Sequence, residues 1–301
     1  MKVLVTGATG QLVQSLVERS QSLPALELVA VGRPDLDLEK PDSIVRAVQA
    51  VSPDVVINAA AYTAVDQAED EPEQAFRING AAAGELAAAA RAAGARIIQI
   101  STDYVFDGTA PDAYAETASV NPLGVYGRSK LQGEEAVRAA APEHVIVRTA
   151  WVYSPFGRNF VKTMLALGRD RDALTVVEDQ HGNPSSALDL AHGLLAILSR
   201  WGRLPEAGLG ETYHLAGTGS VSWFEFARHV FDASQRLGGP WAEVRPIHSQ
   251  DWPTKAVRPK NSRLDCSKYG CDFGYCAPEW RLSASHVVER LVTNAGAEAG
   301  G

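Results

Sequence analysis

The sequence predicts a doubly wound α/β fold: a parallel sheet of the Rossmann type, covered by helices on both faces, with a smaller C-terminal lobe interleaved with it. Two observations carry this. Through the first half of the chain, short and almost continuously apolar runs alternate with helix-length segments, the pattern of strands buried on both sides. A glycine turn, Thr6-Gly7-Ala8-Thr9-Gly10, lies at the first strand-to-helix junction. A chain of 301 residues has room for one large α/β unit and a second, smaller lobe.

Taken in order, residues 3–6 form a β-branched run, and residues 11–20 follow with helical spacing. Residues 26–31 make a second strand, and a second helix covers 41–51 with Pro41 at its start. A third strand at 54–58 leads into one long helix, 73–93, closed by Gly94. A fourth strand spans 96–100, a helix 121–140, and a further strand 144–149. Beyond Trp151 the pattern loosens: strands are expected at 174–177 and 211–216, and helices at 222–236 and 283–294. Residues 1–150 are therefore expected to bind a dinucleotide, and 151–301 to form mainly the substrate lobe. The low-complexity stretch is a short tail from Gly296 to Gly301.

Composition narrows the function classes. Hydrophobic content of 46% and charged content of 21% are those of a globular protein. A net charge of −8 with no basic block argues against a nucleic-acid binder. The N-terminal apolar run is too short for a signal peptide, and no run reaches the length of a membrane span. Cys266, Cys271 and Cys276 contain no CxxC pair, so they are expected to be reduced thiols rather than zinc ligands. These features together predict a cytoplasmic protein. His181 and His192 lack partners at a telling spacing and are read as structural or solvated. The acidic run 66–71 is read as capping a helix N-terminus rather than holding metal.

Three features carry chemistry. Gly7 permits a tight turn, and Gly10 lets the backbone approach a pyrophosphate at the start of a helix. The third glycine of such fingerprints is here Val13, which predicts a slightly displaced helix and leaves cofactor affinity open. Thr9, Gln11 and Leu12 complete this cofactor-facing stretch. Arg33 ends the second strand where an acidic residue would read a ribose 2′-hydroxyl; an arginine there suits a 2′-phosphate, so NADPH is expected over NADH. Asp37, Leu38 and the small residues Ala59, Ala60 and Ala61 follow at strand ends, with room for a ring and a ribose.

Of the eight tyrosines, Tyr126 alone has a lysine four residues on, Lys130, which puts both on one helical face. A nearby ammonium favours the phenolate and would lower the tyrosine's pKa toward the working range. Thr102, after the fourth strand, can place its hydroxyl on a substrate carbonyl beside Tyr126.

In this order the motifs resemble the extended short-chain dehydrogenases, and within them the dTDP-4-dehydrorhamnose reductases. The resembling stretches are TGATGQL (6–12), PDVVINAAAYTAVDQAE (53–69), STDYVFDG (101–108), NPLGVYGRSKLQGE (121–134), VIVRTAWVYSPFGRNFVKTML (145–165), DQHGNP (179–184) and RPKNSRLD (258–265). The resemblance implies hydride transfer from NAD(P)H to C4 of dTDP-4-dehydro-β-L-rhamnose, giving dTDP-L-rhamnose. It implies Tyr126 as proton donor, Lys130 as its electrostatic partner and ribose anchor, and Thr102 as the carbonyl-orienting hydroxyl. It further implies that Asp103 and Tyr104 line the sugar pocket, and that Trp151 and Asn159 contact sugar or nucleotide. Arg258, with Asn261 and Ser262, would hold the diphosphate.

The partner so implied is a nucleotide sugar, with a homodimer possible. Some members of the family dimerise through a metal held by acidic residues. Gln14-Ser15 and Ser186-Ala187-Leu188 occupy those neighbourhoods here, so no metal is expected. Two rival readings share the fold. A nucleotide-sugar dehydratase would need an acid–base pair where this chain has Asp103-Tyr104, and an epimerase would show no net cofactor consumption. A non-catalytic regulatory subunit would have no need of Tyr126 and Lys130, both of which are present.

Overall fold

Val3, Leu4 and Val5 are fully buried, so β1 (Lys2–Thr6) is covered on both faces, and its apolar run is unbroken for that reason. The computed structural model describes residues 1–299, with side chains through Asn294; of the glycine-rich tail, Gly300 and Gly301 lie outside the described residues. After β1 come α1 (Gln11–Ser20), β2 (Glu27–Val31), α2 (Pro41–Val51) and β3 (Val55–Asn58). Then follow α3 (Val65–Ala68), α4 (Pro72–Phe76), α5 (Ala82–Ala92), β4 (Arg96–Thr102), α6 (Val125–Ala140) and β5 (His144–Thr149).

The second half contributes β6 (Val152–Tyr153), α7 (Phe160–Asp170), β7 (Ala173–Val177), β8 (His181–Gly182), β9 (Ser185–Ser186) and α8 (Ala187–Trp201). It ends with β10 (Glu211–His214), β11 (Val221–Ser222), α9 (Trp223–Arg236), β12 (Glu243–Ile247), α10 (Ser267–Phe273) and α11 (Trp280–Ala299).

The main sheet has six parallel strands in the order β10-β5-β4-β3-β1-β2. One face packs on α1 and α8 through Val13, Leu16, Leu190 and Leu194; the other packs on α2, α5 and α6 through Ile44, Leu86 and Val137. The strand order reverses between β1 and β3, so the crevice at their carboxyl ends is the place where such sheets bind ligands. The lobe built by α7, α9, α11 and the parallel pair β7–β12 has its own core around Tyr153, Phe226, Val230 and Trp280. α8 and β10 return from the second half to complete the first unit.

Two expected helices differ. The long helix at 73–93 is instead α4, a π-helical turn at Arg77–Ala81, and α5. The wide turn turns Asn79 onto the loop after β3, where its Oδ1 accepts from the Tyr62 N–H and its Nδ2 donates to the Tyr62 carbonyl and Ser129 Oγ. An inserted residue of this kind leaves no mark in hydrophobic periodicity. The helix expected from 121 begins at Val125, because Asn121 is drawn away to donate its N–H to the Val105 carbonyl. Glu69, from the acidic run, accepts the Val125 N–H at 2.7 Å and so caps α6 rather than its own helix.

Candidate active site

At the end of β1 the backbone of Gly7 has φ of +94°, a conformation that side chains with a Cβ rarely adopt. Val13 is buried beneath this turn, where a Cβ on Gly7 or Gly10 would only touch its methyl, and its volume is absorbed by the core. Among the described residues no side chain caps α1, and its first turn has no acidic group, so the positive end of the helix faces the crevice. Thr9 is exposed there, and Leu12 packs inward on the core. Ala60 donates its N–H to Thr6 Oγ1, placing Ala59–61 beside the turn.

Arg33 is exposed at the end of β2 and makes no ion pair among the described residues. A free guanidinium beside an uncapped helix start and a glycine turn suits a dinucleotide carrying a 2′-phosphate. Asp37 and Leu38 are occupied otherwise. Asp37 is buried and accepts the Glu39 N–H, and Leu38 lies in the core under α2. Gln11 turns toward the second lobe, where its Oε1 accepts from Ser154 Oγ and Asn159 Nδ2.

The reacting groups expected from the sequence meet where β4 faces α6. A Cβ on Gly127 would lie 2.2 Å from the Tyr104 carbonyl oxygen, so glycine lets α6 sit directly on the turn after β4. Tyr104 and Tyr126 consequently meet edge to face, with ring centroids 5.8 Å apart. Thr102 Oγ1 donates to Asp103 Oδ1 at 3.0 Å, accepts the Tyr104 N–H, and reaches the Tyr126 phenol.

Burial pushes the Tyr126 phenol up to about 12, with Asp103 adding to the rise and the Thr102 hydrogen bond opposing it. The expected lowering by Lys130 is not realised. The Lys130 ammonium instead donates to the Ile100 carbonyl at 2.6 Å, and burial brings it down to about 8 against the pull of Glu134. The phenol is thus held in its protonated form. Asp103 is fully buried and raised to about 7 by that burial, with nearby Ser262 and the Thr102 hydrogen bond pulling the other way; its Oδ2 has no partner among the described residues.

Beside the second lobe, Trp151 stacks on Trp223, and its ring edge passes over Gly182. Arg258 is paired with Asp66 through two hydrogen bonds, at 3.1 and 2.7 Å, and also engages Tyr104. Asn159 caps α7 with its Oδ1 and donates its Nδ2 to Gln11, Ser154 and Phe156. Asn261 donates to the Ala110 and Asp112 carbonyls and accepts from the Arg263 backbone and guanidinium, so both donors and both lone pairs are spent inside the chain. The sequence marked Asn159 and Asn261 as ligand contacts; the structure employs them to pin loops.

The family model described as the RmlD substrate binding domain matches residues 1–293. The chain belongs to the RmlD substrate-binding domain family. A dTDP-4-dehydrorhamnose reductase of Sinorhizobium fredii is 42% identical over 292 residues, covering 97% of this chain and 98% of the relative. The crystal structure of a dTDP-4-dehydrorhamnose reductase from Clostridium acetobutylicum superposes with a TM-score of 0.89 at 39% identity, over 97% of this chain and 99% of that one. A Bacillus anthracis dTDP-4-dehydrorhamnose reductase in complex with NADP superposes with a TM-score of 0.87 at 35% identity, over 96% and 99% of the two chains.

In this RmlD-family chain, sequence reasoning passed over Trp223, Gly182 and Glu134. Glu134 could have been found, since it continues the four-residue spacing of Tyr126 and Lys130. Trp223 could not, because it stacks on Trp151 from a distant part of the chain and no local spacing records that contact. Among the described residues no helix is long and apolar enough to cross a membrane.

Proposed function

We propose that this chain reduces the 4-keto group of dTDP-4-dehydro-β-L-rhamnose with NADPH, giving dTDP-L-rhamnose. Membership of the family and full-length likeness to named reductases support the reaction class. The observation that carries the chemistry is a phenol held protonated beside a hydroxyl at the sheet's carboxyl edge.

NADPH, when bound at the glycine turn, supplies the hydride. The Tyr126 O–H gives its proton to O4 of the sugar, and the Thr102 hydroxyl orients that oxygen. Lys130, one helical turn from Tyr126, offsets the charge left on the phenolate and anchors the ribose. Gly7, Thr9, Gly10 and the first turn of α1 receive the pyrophosphate, and Arg33 receives the 2′-phosphate. Ala59, Ala60 and Ala61 leave room for the adenosine half, with Asp37 and Leu38 shaping the turn behind it. Asp103, Tyr104, Ser262 and Trp151 wall the sugar pocket. Arg258 exchanges Asp66 for the substrate diphosphate, for which a forked guanidinium is suited. Residues 1–150 thereby serve mainly the cofactor, and residues 151–301 mainly the sugar nucleotide.

The test is to mix the protein, NADPH and enzymatically prepared dTDP-4-dehydro-β-L-rhamnose, follow NADPH absorbance, and identify the sugar. Stoichiometric oxidation with dTDP-L-rhamnose as product is expected. A folded protein that binds NADPH yet leaves the verified sugar unchanged would overturn the assignment.

A further inference from the structure

Successive turns of α6 present Tyr126, Lys130, Glu134 and Arg138 along one stripe. Glu134 is fully buried, and nothing in the reduction as described uses it. Its Oε1 accepts from Ser101 Oγ at 2.6 Å and from Arg148 Nε at 2.8 Å. Its Oε2 accepts from Arg148 Nη2 at 2.7 Å and from Arg138 Nη2 at 3.0 Å. Ser101 immediately precedes Thr102 on β4, and Arg148 is its register partner on β5. A single carboxylate therefore ties the helix bearing Tyr126 to the two strands directly under Thr102. Lys130 grips the same strand one residue earlier, at the Ile100 carbonyl.

A buried ion pair is a poor source of stability, because apolar residues of similar volume hold elements together at least as well. The three bonds from Ser101 and Arg148 do what apolar packing cannot: they fix the register and spacing of helix against strand, while Arg138, on α6 itself, holds the carboxylate from its own helix.

We propose that Glu134 is a positioning residue for the reduction, setting the separation of the Thr102 hydroxyl from the Tyr126 phenol through Ser101 and Arg148. The proposal rests on the reading of Thr102 and Tyr126 as the reacting pair. A small error in their spacing slows proton donation while leaving the cofactor turn, built on β1 and α1, untouched.

Ser101→Ala removes one of these bonds and little else. The expected result is a kcat, per NADPH-binding site, about tenfold lower, with the NADPH Kd within about twofold; the lost buried hydrogen bond lowers Tm by a few degrees without reducing the fraction of binding sites. The solvent deuterium isotope effect on kcat should rise as proton donation becomes limiting. Glu134→Gln should act in the same direction, and the double variant should be no slower than Glu134→Gln alone. A structural role would lower Tm and the fraction of binding sites but leave kcat per site and the isotope effect unmoved. Wild-type kcat and isotope effect in Ser101→Ala would overturn the proposal, as would additive losses in the double variant. Should Glu134→Gln not fold, Ser101→Ala decides alone. A wild type without turnover would overturn the reaction itself and this proposal with it, whereas a normal wild type with a normal Ser101→Ala overturns this proposal only.

Discussion

The indoles of Trp151 and Trp223 lie face to face, with ring centroids 3.5 Å apart and planes 6° from parallel. Trp151 reaches this position with φ of +45°, unusual for a bulky side chain. Such a conformation persists where the surroundings over-determine it. Here Trp223 holds one face of the ring, Phe160 packs in turn on Trp223, and the edge of Trp151 crosses the bare backbone of Gly182.

Gly182→Ala tests that arrangement. Its Cβ would fall 2.4 Å from Trp151 Cε2 and 2.8 Å from Ser262 Oγ, so the indole must move. The KM for the sugar nucleotide should rise about tenfold, with NADPH affinity within about twofold of the wild type. Steady-state kinetics and the shift in tryptophan emission measure the two consequences.

Tyr126→Phe keeps the ring against Tyr104 and removes the proton. kcat should fall by about 10²–10⁴-fold, the usual worth of a general acid, while NADPH binding followed by fluorescence titration stays close to normal. Reductase turnover at the wild-type rate in this variant would remove Tyr126 from the chemistry.

The pH dependence follows from Lys130, lowered to about 8 by burial. In the proposed reaction the charged form is the useful one, so kcat/KM should fall as the ammonium is lost above that pH. Tyr126, held up at about 12, stays protonated over the same range and contributes no second limb. From about pH 7.5, where Asp103 at about 7 is already mostly ionised, to about 9.5, rate profiles should show one descending limb, absent in Lys130→Ala together with most of the rate.

Arg33→Ala removes an exposed cation with no ion-pair partner among the described residues. The KM for NADPH should rise about tenfold, as for one lost charged hydrogen bond, while the KM for NADH hardly changes. Equal effects on both cofactors would place Arg33 away from the 2′-phosphate.

Asn261→Ala should register in stability rather than in substrate affinity. It removes the bonds to the Ala110 and Asp112 carbonyls and from the Arg263 N–H, all part-buried, each worth about 0.5–1.5 kcal/mol. A lower Tm in thermal unfolding, with the KM for the sugar nucleotide near the wild-type value, is the expected pattern.

Much of this protein was legible in local patterns. Residues 11–20, 41–51 and 144–149 were read as the elements they are, since apolar periodicity, an N-terminal proline and a continuous buried run act over a few residues. The glycine turn and the Tyr126–Lys130 spacing are local for the same reason: one follows from a single φ, the other from one helical turn. Tertiary structure decided how each polar group spends its hydrogen bonds. Arg258 lies against Asp66, Glu134 against Arg148, and Asn261 against a segment some 150 residues away. It also decided the protonation of Tyr126, where burial outweighs a lysine whose charge is committed to the Ile100 carbonyl. Backbone conformation answers to near neighbours in the chain, and the sequence therefore determined the fold class and the helical face shared by Tyr126 and Lys130. Desolvation and hydrogen-bond satisfaction answer to whatever packs alongside, and only the folded chain brings those groups together.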